Sequence, residues 1–319
     1  MRRALYFLAK LVVSGLLLYL ALNWVNLGRV ASRLSQIDPA WLALALLAPL
    51  VQNVLLTLRW QTILSRCGSD LPLLQMFRYS MVALFFNQTL PSSVGGDAMR
   101  IWLVGKQANW RTATYSVLVD RVVGLVALAI LVTVCLPWTL ALVRNPVGRS
   151  ALLLIGIGCI TGGVVFVALG WERLNILQRW APTRHLAASA TVAAGILRSP
   201  ATLMKVFGLS FGIHVLTACN AWCAARSVGV ELSLAYALFL VLPVVLIAIV
   251  PISIAGWGIR EGAMVAAFGY AGLARGDGLI VSLLYGATYL VIGVVGGLVW
   301  LLTTRRTERR IVPAVDGGG

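Results

Sequence analysis

The sequence predicts an all-α polytopic membrane protein with about six full spans and two interrupted or re-entrant helical regions related as an inverted repeat. Three observations carry that prediction. Hydrophobic residues make up 60% of the 319 and charged residues 11%, against about 25% charged in a typical soluble domain. Apolar runs of about 20 residues, the length that crosses a bilayer core, recur along the chain. Basic residues gather in the short segments between those runs, as membrane topology demands. A water-soluble core could not bury this much apolar surface, so the bilayer is the solvent.

The elements follow in chain order. MRRALYFLAK places two arginines before the run 4–26, with no small-x-small cleavage site after it, which reads as an uncleaved first span. The run 40–58 is the second span; Asn53 within it reads as an inter-helix hydrogen bond, and Arg59-Trp60 after it as an interfacial anchor. Region 72–111 is irregular. Spans follow at 113–142, with Asp120-Arg121 about two turns in, and at 150–170. Segment 171–202 is too polar to cross. Its Trp171, Leu174 and Leu177 recur at helical spacing beside Arg173, Arg179 and Arg184, which suits a segment lying on the membrane surface. The run 203–226 spans again, with His214 as a second inter-helix hydrogen bond. Region 232–275 is irregular, and 278–303 is the last span, with Tyr285 and Tyr289 on one face for aromatic packing or to line a cavity. Residues 1–304 thus form a single transmembrane domain, and 305–319 a basic, glycine-ended disordered tail.

The net charge of +16 would suggest nucleic acid in a soluble protein. Here topology and anionic headgroups account for it, and no nucleic-acid partner is expected. Five cysteines form an odd set, mostly inside apolar runs; Cys219 and Cys223 share a helix face as small packing residues rather than as half a metal site. The two histidines, His185 and His214, lie far apart without a ligand motif. No disulfide framework, metal or other cofactor is expected.

Charge decides how the irregular regions thread. If 72–111 dips in and returns to the side it left, 18 of the 26 basic residues fall on the cytoplasmic side and 6 outside, with Arg121 and Arg260 at membrane depth. If 72–90 crosses, the split becomes 10 inside and 14 outside, against the positive-inside rule. Region 232–275 must also return to its starting side, as two short spans or a second re-entrant hairpin. Both termini are then cytoplasmic in a cell inner (plasma) membrane protein.

The two irregular regions carry related motifs. SMVALFFNQ runs into TLPSSVGGDAMR (89–100), and LFLVLPVVLIAIV runs into PISIAGWGIRE (251–261). Superposed on their prolines they share Pro91/Pro251, Ser93/Ser253, Gly96/Gly256 and Arg100/Arg260, each with an acid near the arginine, Asp97 or Glu261. Proline ends a helix and glycine permits tight turns. In hydrocarbon such a break survives only inside protein or around a polar cavity. The exposed helix N-terminus seats an anion such as phosphate, and an arginine one turn on can add a bidentate hold. Interrupted segments at matching places in two halves mark a transporter's substrate site. PSSVGGD also fits a surface loop whose Ser or Asp caps the next helix. Asn87 and Gln88 are placed to satisfy backbone groups freed at the first break. Asp120 and Arg121 point in different directions, so each should pair with another helix or lie at the interface.

At LRWQTIL, NQTLPSSVGGDAMR, VDRVVGL and PISIAGWGIREGAM the chain resembles the flippase-like family of the lysylphosphatidylglycerol synthase transmembrane region, over nearly its whole length. The resemblance implies an integral membrane protein that moves a lipid or lipid-linked sugar between leaflets. It assigns Asn87, Pro91, Gly95, Gly96, Asp97 and Arg100 to one motif, and Pro251, Ser253, Gly256, Gly258, Arg260 and Glu261 to the other. The family's name-giving members add a soluble aminoacyl-transferase domain; this sequence stops soon after the last span, so aminoacylation is not expected.

The expected function is therefore a flippase or scramblase for an anionic phospholipid or polyprenyl-phosphate-linked sugar, not an enzyme. Arg100 and Arg260 would hold the phosphate, with Ser93, Ser253, the four motif glycines, Asn87, Asp120 and Arg121 around it. Asp97, Glu261 and Asp120 would neutralise the arginines or carry a coupling proton. No P-loop occurs, so a gradient or the lipid's own concentration difference drives it. Expected partners are the bilayer, the phosphate-bearing lipid and a lipid-biosynthetic enzyme. Two alternatives stand beside this: a membrane transferase acting on a lipid-linked substrate, weakened by scattered acids without a D-x-D, and a non-transporting partner of a lipid-biosynthetic enzyme.

Overall fold

The computed structural model describes residues 19, 28, 35–89, 95–169, 192, 195–196, 198–249 and 256–311. The expected first span 4–26, most of the surface segment 171–202, both motif prolines Pro91 and Pro251, and Ser93 and Ser253 lie outside them. Within them the long elements are all helices: α1 (Pro39–Arg66), α2 (Leu73–Thr89), α3 (Gly95–Gly105), α4 (Trp110–Leu142), α5 (Pro146–Leu169), α6 (Pro200–Ser227), α7 (Leu234–Ala248), α8 (Ile259–Tyr270) and α9 (Arg275–Ile311). α1, α4, α6 and the stretch Arg275–Leu302 of α9 are each long and apolar enough to cross a membrane. α5, of 24 residues, is about 36 Å long, which also exceeds a hydrocarbon core of about 30 Å. α9 continues to Ile311, into the stretch expected as a tail.

Local chemistry sets these boundaries. Asp38 caps α1, accepting from Ala40 N–H at 2.8 Å, with Pro39 in the first turn. Asn109 caps α4 through Arg111 N–H (2.9 Å) and Ser233 caps α7 through Tyr236 N–H (3.1 Å). Pro49, Pro137 and Pro243 lie inside helices, as membrane helices tolerate when neighbours take up the freed carbonyls. By contrast α2 and α3, of 17 and 11 residues, and α7 and α8, of 15 and 12, are each too short to cross alone: even the longest is about 25 Å. These short pairs occupy the two regions expected to be irregular.

α1 and α6 form the centre, and a polar ladder fixes their register. Gln52 donates to Thr217 Oγ1 (2.9 Å) and the Ile213 carbonyl (3.2 Å), Arg59 to Ser210 Oγ (3.0 Å) and Arg66 to Thr202 Oγ1 (2.5 Å). Numbering rises along α1 as it falls along α6, so the two are antiparallel. The α1–α6 pair aside, every more extensive pairing among the eight helices α1–α4 and α6–α9 has a counterpart when the halves are exchanged. α1 packs on α2 as α6 does on α7. α2 packs on α3 and α3 on α4, as α7 on α8 and α8 on α9. Across the halves, α2 lies on α9 as α7 lies on α4, and both α1 and α6 touch α4 and α9. α5 stands outside this exchange, against α4 and α8. The α2–α9 seam is closed by small residues: a Cβ on Gly296 would overlap the Met81 carbonyl, and one on Gly297 would come within 2.8 Å of the Phe85 ring.

Candidate functional site

Each break is closed by the chain's own oxygens. At the first, Gly96 is pressed against α2, where a Cβ would overlap the Ala83 carbonyl and stand 2.6 Å from the Asn87 side chain. Its N–H donates to Asn87 Oδ1 at 2.9 Å, the backbone role foreseen for Asn87. At the second, Gly256 (φ 79°) and Gly258 (φ 89°) turn the chain through left-handed conformations. Glu261, fully buried, accepts from Gly258 N–H at 2.5 Å. Those two N–H groups are not free to hold a substrate anion, as a bare helix terminus would be.

Beyond the first break lies a network of three guanidiniums and two carboxylates. Asp120 on α4, 1% exposed, accepts from Arg59 of α1 at 2.8 Å and from Arg100 of α3 at 2.9 Å. Asp97 on α3 is paired with Arg121 of α4 at 2.5 Å and lies 3.5 Å from Arg100. Asp120 and Arg121 thus each pair off their own helix, Asp120 with α1 and α3 and Arg121 with α3. The Arg100 guanidinium sits 3.9 Å over the Trp60 ring, whose Nε1 donates to Ser116. Among the described residues, Arg100 Nε and Asp97 Oδ1 are buried without a hydrogen-bond partner. The network carries a net charge of +1.

Beyond the second break the network is neutral. Arg260 donates to Glu261 Oε1 through Nη2 (2.6 Å) and Nε (3.0 Å), and its Nε also reaches Ser282 Oγ of α9 (3.1 Å). Ser282 itself donates to Glu261 at 3.0 Å. The Trp257 and Tyr285 rings flank the guanidinium, 4.7 and 5.4 Å away. Tyr285 packs on Tyr289, whose hydroxyl donates to Gln52 Oε1 at 2.5 Å.

No hydrogen bond or ion pair joins the Arg100 and Arg260 clusters directly among the described residues, and each arginine is held by partners of its own half. The link runs through α1, where Gln52 serves the second network and Arg59 the first, seven residues or about 10 Å apart. Two sequence expectations need correction. Arg59 and Trp60 are not an interfacial anchor: they are 5% and 0% exposed, and α1 runs on to Arg66 because that polar face packs against α4 and α6. Asn53 forms no inter-helix bond through its amide nitrogen, which is buried without a partner among the described residues. His214 does bond across helices, to the Gly124 carbonyl of α4 at 3.0 Å. Sequence reasoning missed Arg59, Gln52, Ser210 and Ser282. The first two had a visible signal, since Gln52, Arg59 and Arg66 recur every seven residues and so mark one helix stripe.

Residues 7–297 match the family described as the lysylphosphatidylglycerol synthase TM region. The chain belongs to that family. Both networks fall inside the matched residues. The chain is also similar to a UPF0104 membrane protein of Methanothermobacter thermautotrophicus, 23% identical over 297 residues that cover 83% of this chain and 86% of the relative. Membership and the apolar helices together make it a multi-pass membrane protein.

Proposed function

We propose that this chain is a flippase or scramblase that carries an anionic phospholipid or polyprenyl-phosphate-linked sugar between leaflets. The observation that carries the proposal is the exchange of packing partners between two antiparallel halves, each holding one buried arginine beside its helix break. Antiparallel α1 and α6 with exchanged partners amount to an inverted repeat. The short pairs α2–α3 and α7–α8 then enter the membrane from opposite faces, and both termini are cytoplasmic, in keeping with the charge count. Inverted repeats give a transporter two mirror-related states, with access alternating by rocking of one half against the other.

The arginine network at the first break is the headgroup site. Arg121 has a half-exposed side chain, and its ion-pair partner Asp97 is partly accessible. A lipid phosphate joins the half-exposed Arg121 beside Asp97 and supplies the negative charge that the network, at +1, lacks. Asp120 stays between Arg59 and Arg100 and keeps both side chains in place. Transport rather than transferase chemistry fits this arrangement, because Asp97, Asp120 and Glu261 are each engaged by guanidiniums and none stands ready as a base.

The test is headgroup translocation in proteoliposomes, read with headgroup-labelled phosphatidylglycerol and a membrane-impermeant quencher. Arg100→Lys and Arg260→Lys keep the charge and lose the fork geometry. Both are expected to slow translocation at least about tenfold, the order of one lost charge-assisted bond. Wild-type rates in both variants, or no translocation by the wild type, would overturn the proposal.

A further inference from the structure

The seam between α4 and α7 differs from its counterpart between α2 and α9. Where glycines seal α2 against α9, the α4–α7 seam opens into a groove of about 190 Å³ walled by α4, α5, α7 and α8. Its walls include Ala151 and Ile155 of α5, Phe239 and Pro243 of α7, and Ala263 and Ala266 of α8. Thr139, also in the wall, spends its hydroxyl on the Cys135 and Phe239 carbonyls at 3.0 and 3.3 Å, so the groove offers no polar group there. It runs between helices of the membrane domain, where the surrounding solvent is hydrocarbon.

One end of the groove is basic. Val143 and Gly148 line it, and the residues that follow them, Arg144 and Arg149, are both exposed. No hydrogen bond or ion pair engages either side chain among the described residues. The Arg144 N–H is tied to the Tyr270 carbonyl (3.1 Å), which brings the end of α8 to the same rim. The Arg275 side chain lies across Gly269 beside it. Arg144, Arg149 and Arg275 are half of the six basic residues that the charge-based threading leaves outside, where topology alone disfavours them.

The geometry points to a docking site for an anionic membrane lipid, with one hydrocarbon chain in the α4–α5–α7–α8 groove and its phosphate between Arg144 and Arg149. The chain fills the groove through van der Waals contact, as any lipid tail can there, and the two guanidiniums that meet the phosphate at headgroup level select an anionic head. Docking here stands apart from transport: a lipid can be held at the seam whether or not its head later crosses.

The full chain in detergent is loaded with dioleoyl phosphatidylglycerol or dioleoyl phosphatidylcholine, and retained lipid is counted by native mass spectrometry. The wild type should retain phosphatidylglycerol preferentially. The exposed double variant R144Q/R149Q should keep its fold and lose that preference by about 30-fold, at about 1 kcal/mol for each arginine near a headgroup. The groove-filling pair A151L/A266L should weaken both lipids while leaving thermal unfolding near wild type. Equal retention of the two lipids by the wild type, or an unchanged preference in R144Q/R149Q, overturns the site. So does release of the lipid by inorganic phosphate alone, which would mark the arginines as a plain anion site. Retained phosphatidylglycerol with no translocation would refute the transport proposal and leave this one standing.

Discussion

Beside the first break, Arg100 belongs to a network with one guanidinium in excess, two hydrogen-bonding atoms without partners and one half-exposed arginine. Beside the second, Arg260 has a carboxylate of its own, a hydroxyl and two aromatic rings, and the cluster is neutral. Both guanidiniums are almost fully buried, 4% and 7% exposed, so both would be prohibitively costly without a partner in a medium that cannot solvate them. The difference lies in what is left over. The second network is complete, and a ligand there must first break something. The first has unused capacity. The same motif at two breaks therefore ends in a closed, neutral cluster in one half and in a cluster with excess positive charge in the other.

Asp120 is where that contrast breaks most violently. It is the shared counter-charge of Arg59 and Arg100, so Asp120→Asn leaves two buried guanidiniums facing a neutral amide. A loss of about 5 kcal/mol is expected, at the upper end for breaking a buried pair, measured as thermal unfolding of purified protein. Glu261→Gln uncouples a single arginine and weakens the hold on Gly258 N–H, so about 3 kcal/mol is expected. If the two variants cost the same, Asp120 is not bridging two arginines and the first network is no richer than the second.

Much of this was legible before any coordinates. The break at TLPSSVGGDAMR and its partner at PISIAGWGIRE were marked by proline, glycine and arginine in the same order, and short helix pairs do lie on either side of them. Asp120 and Arg121 announced themselves because charged neighbours inside an apolar run must find separate partners. Arg59 was misjudged for a physical reason: an arginine and tryptophan at the end of a run have the composition of an interfacial anchor, and only the seven-residue spacing to Gln52 and Arg66 betrays an inward face. Ser282 and Ser210 were invisible, since a serine in a membrane helix bonds its own backbone as readily as a distant guanidinium, and Ser210 here does both. The separation of Arg100 from Arg260 depends on how the halves dock, which no local pattern encodes.

Two glycines sharpen the comparison by steric means. Gly286 of α9 lies directly under Arg260: an added Cβ would overlap Nη2 and stand 2.9 Å from Trp257. With Glu261 and Ser282 fixing the guanidinium there is no room to yield, so Gly286→Ala should cost about 2 kcal/mol of overpacking. At Gly124 of α4 the nearest atom is Arg59 Nη1 at 3.1 Å, the far end of a long side chain. A few tenths of an ångström suffice there, and the helix gains about 1 kcal/mol in propensity, so Gly124→Ala should leave thermal unfolding close to wild type. Equal penalties would mean that the two networks are equally rigid.

Arg121→Ala should have a small effect on stability and is the most informative about function. Its side chain is 43% exposed while that of its partner Asp97 is 12% exposed, so the pair is screened on one side and contributes at most about 1 kcal/mol. Added salt should shrink the difference from wild type further, because exposed ion pairs weaken as ionic strength rises. Asp97 does not become stranded by the change, since Arg100 stands 3.5 Å away on the same helix and can take up its carboxylate. That capture is the point of the experiment: with Asp97 turned wholly onto Arg100, the spare capacity of the first network is consumed. Translocation of an anionic lipid should then fall severalfold in a protein that unfolds at the wild-type temperature. A receptive site predicts that split between rate and stability, whereas a purely structural ion pair predicts that both stay unchanged.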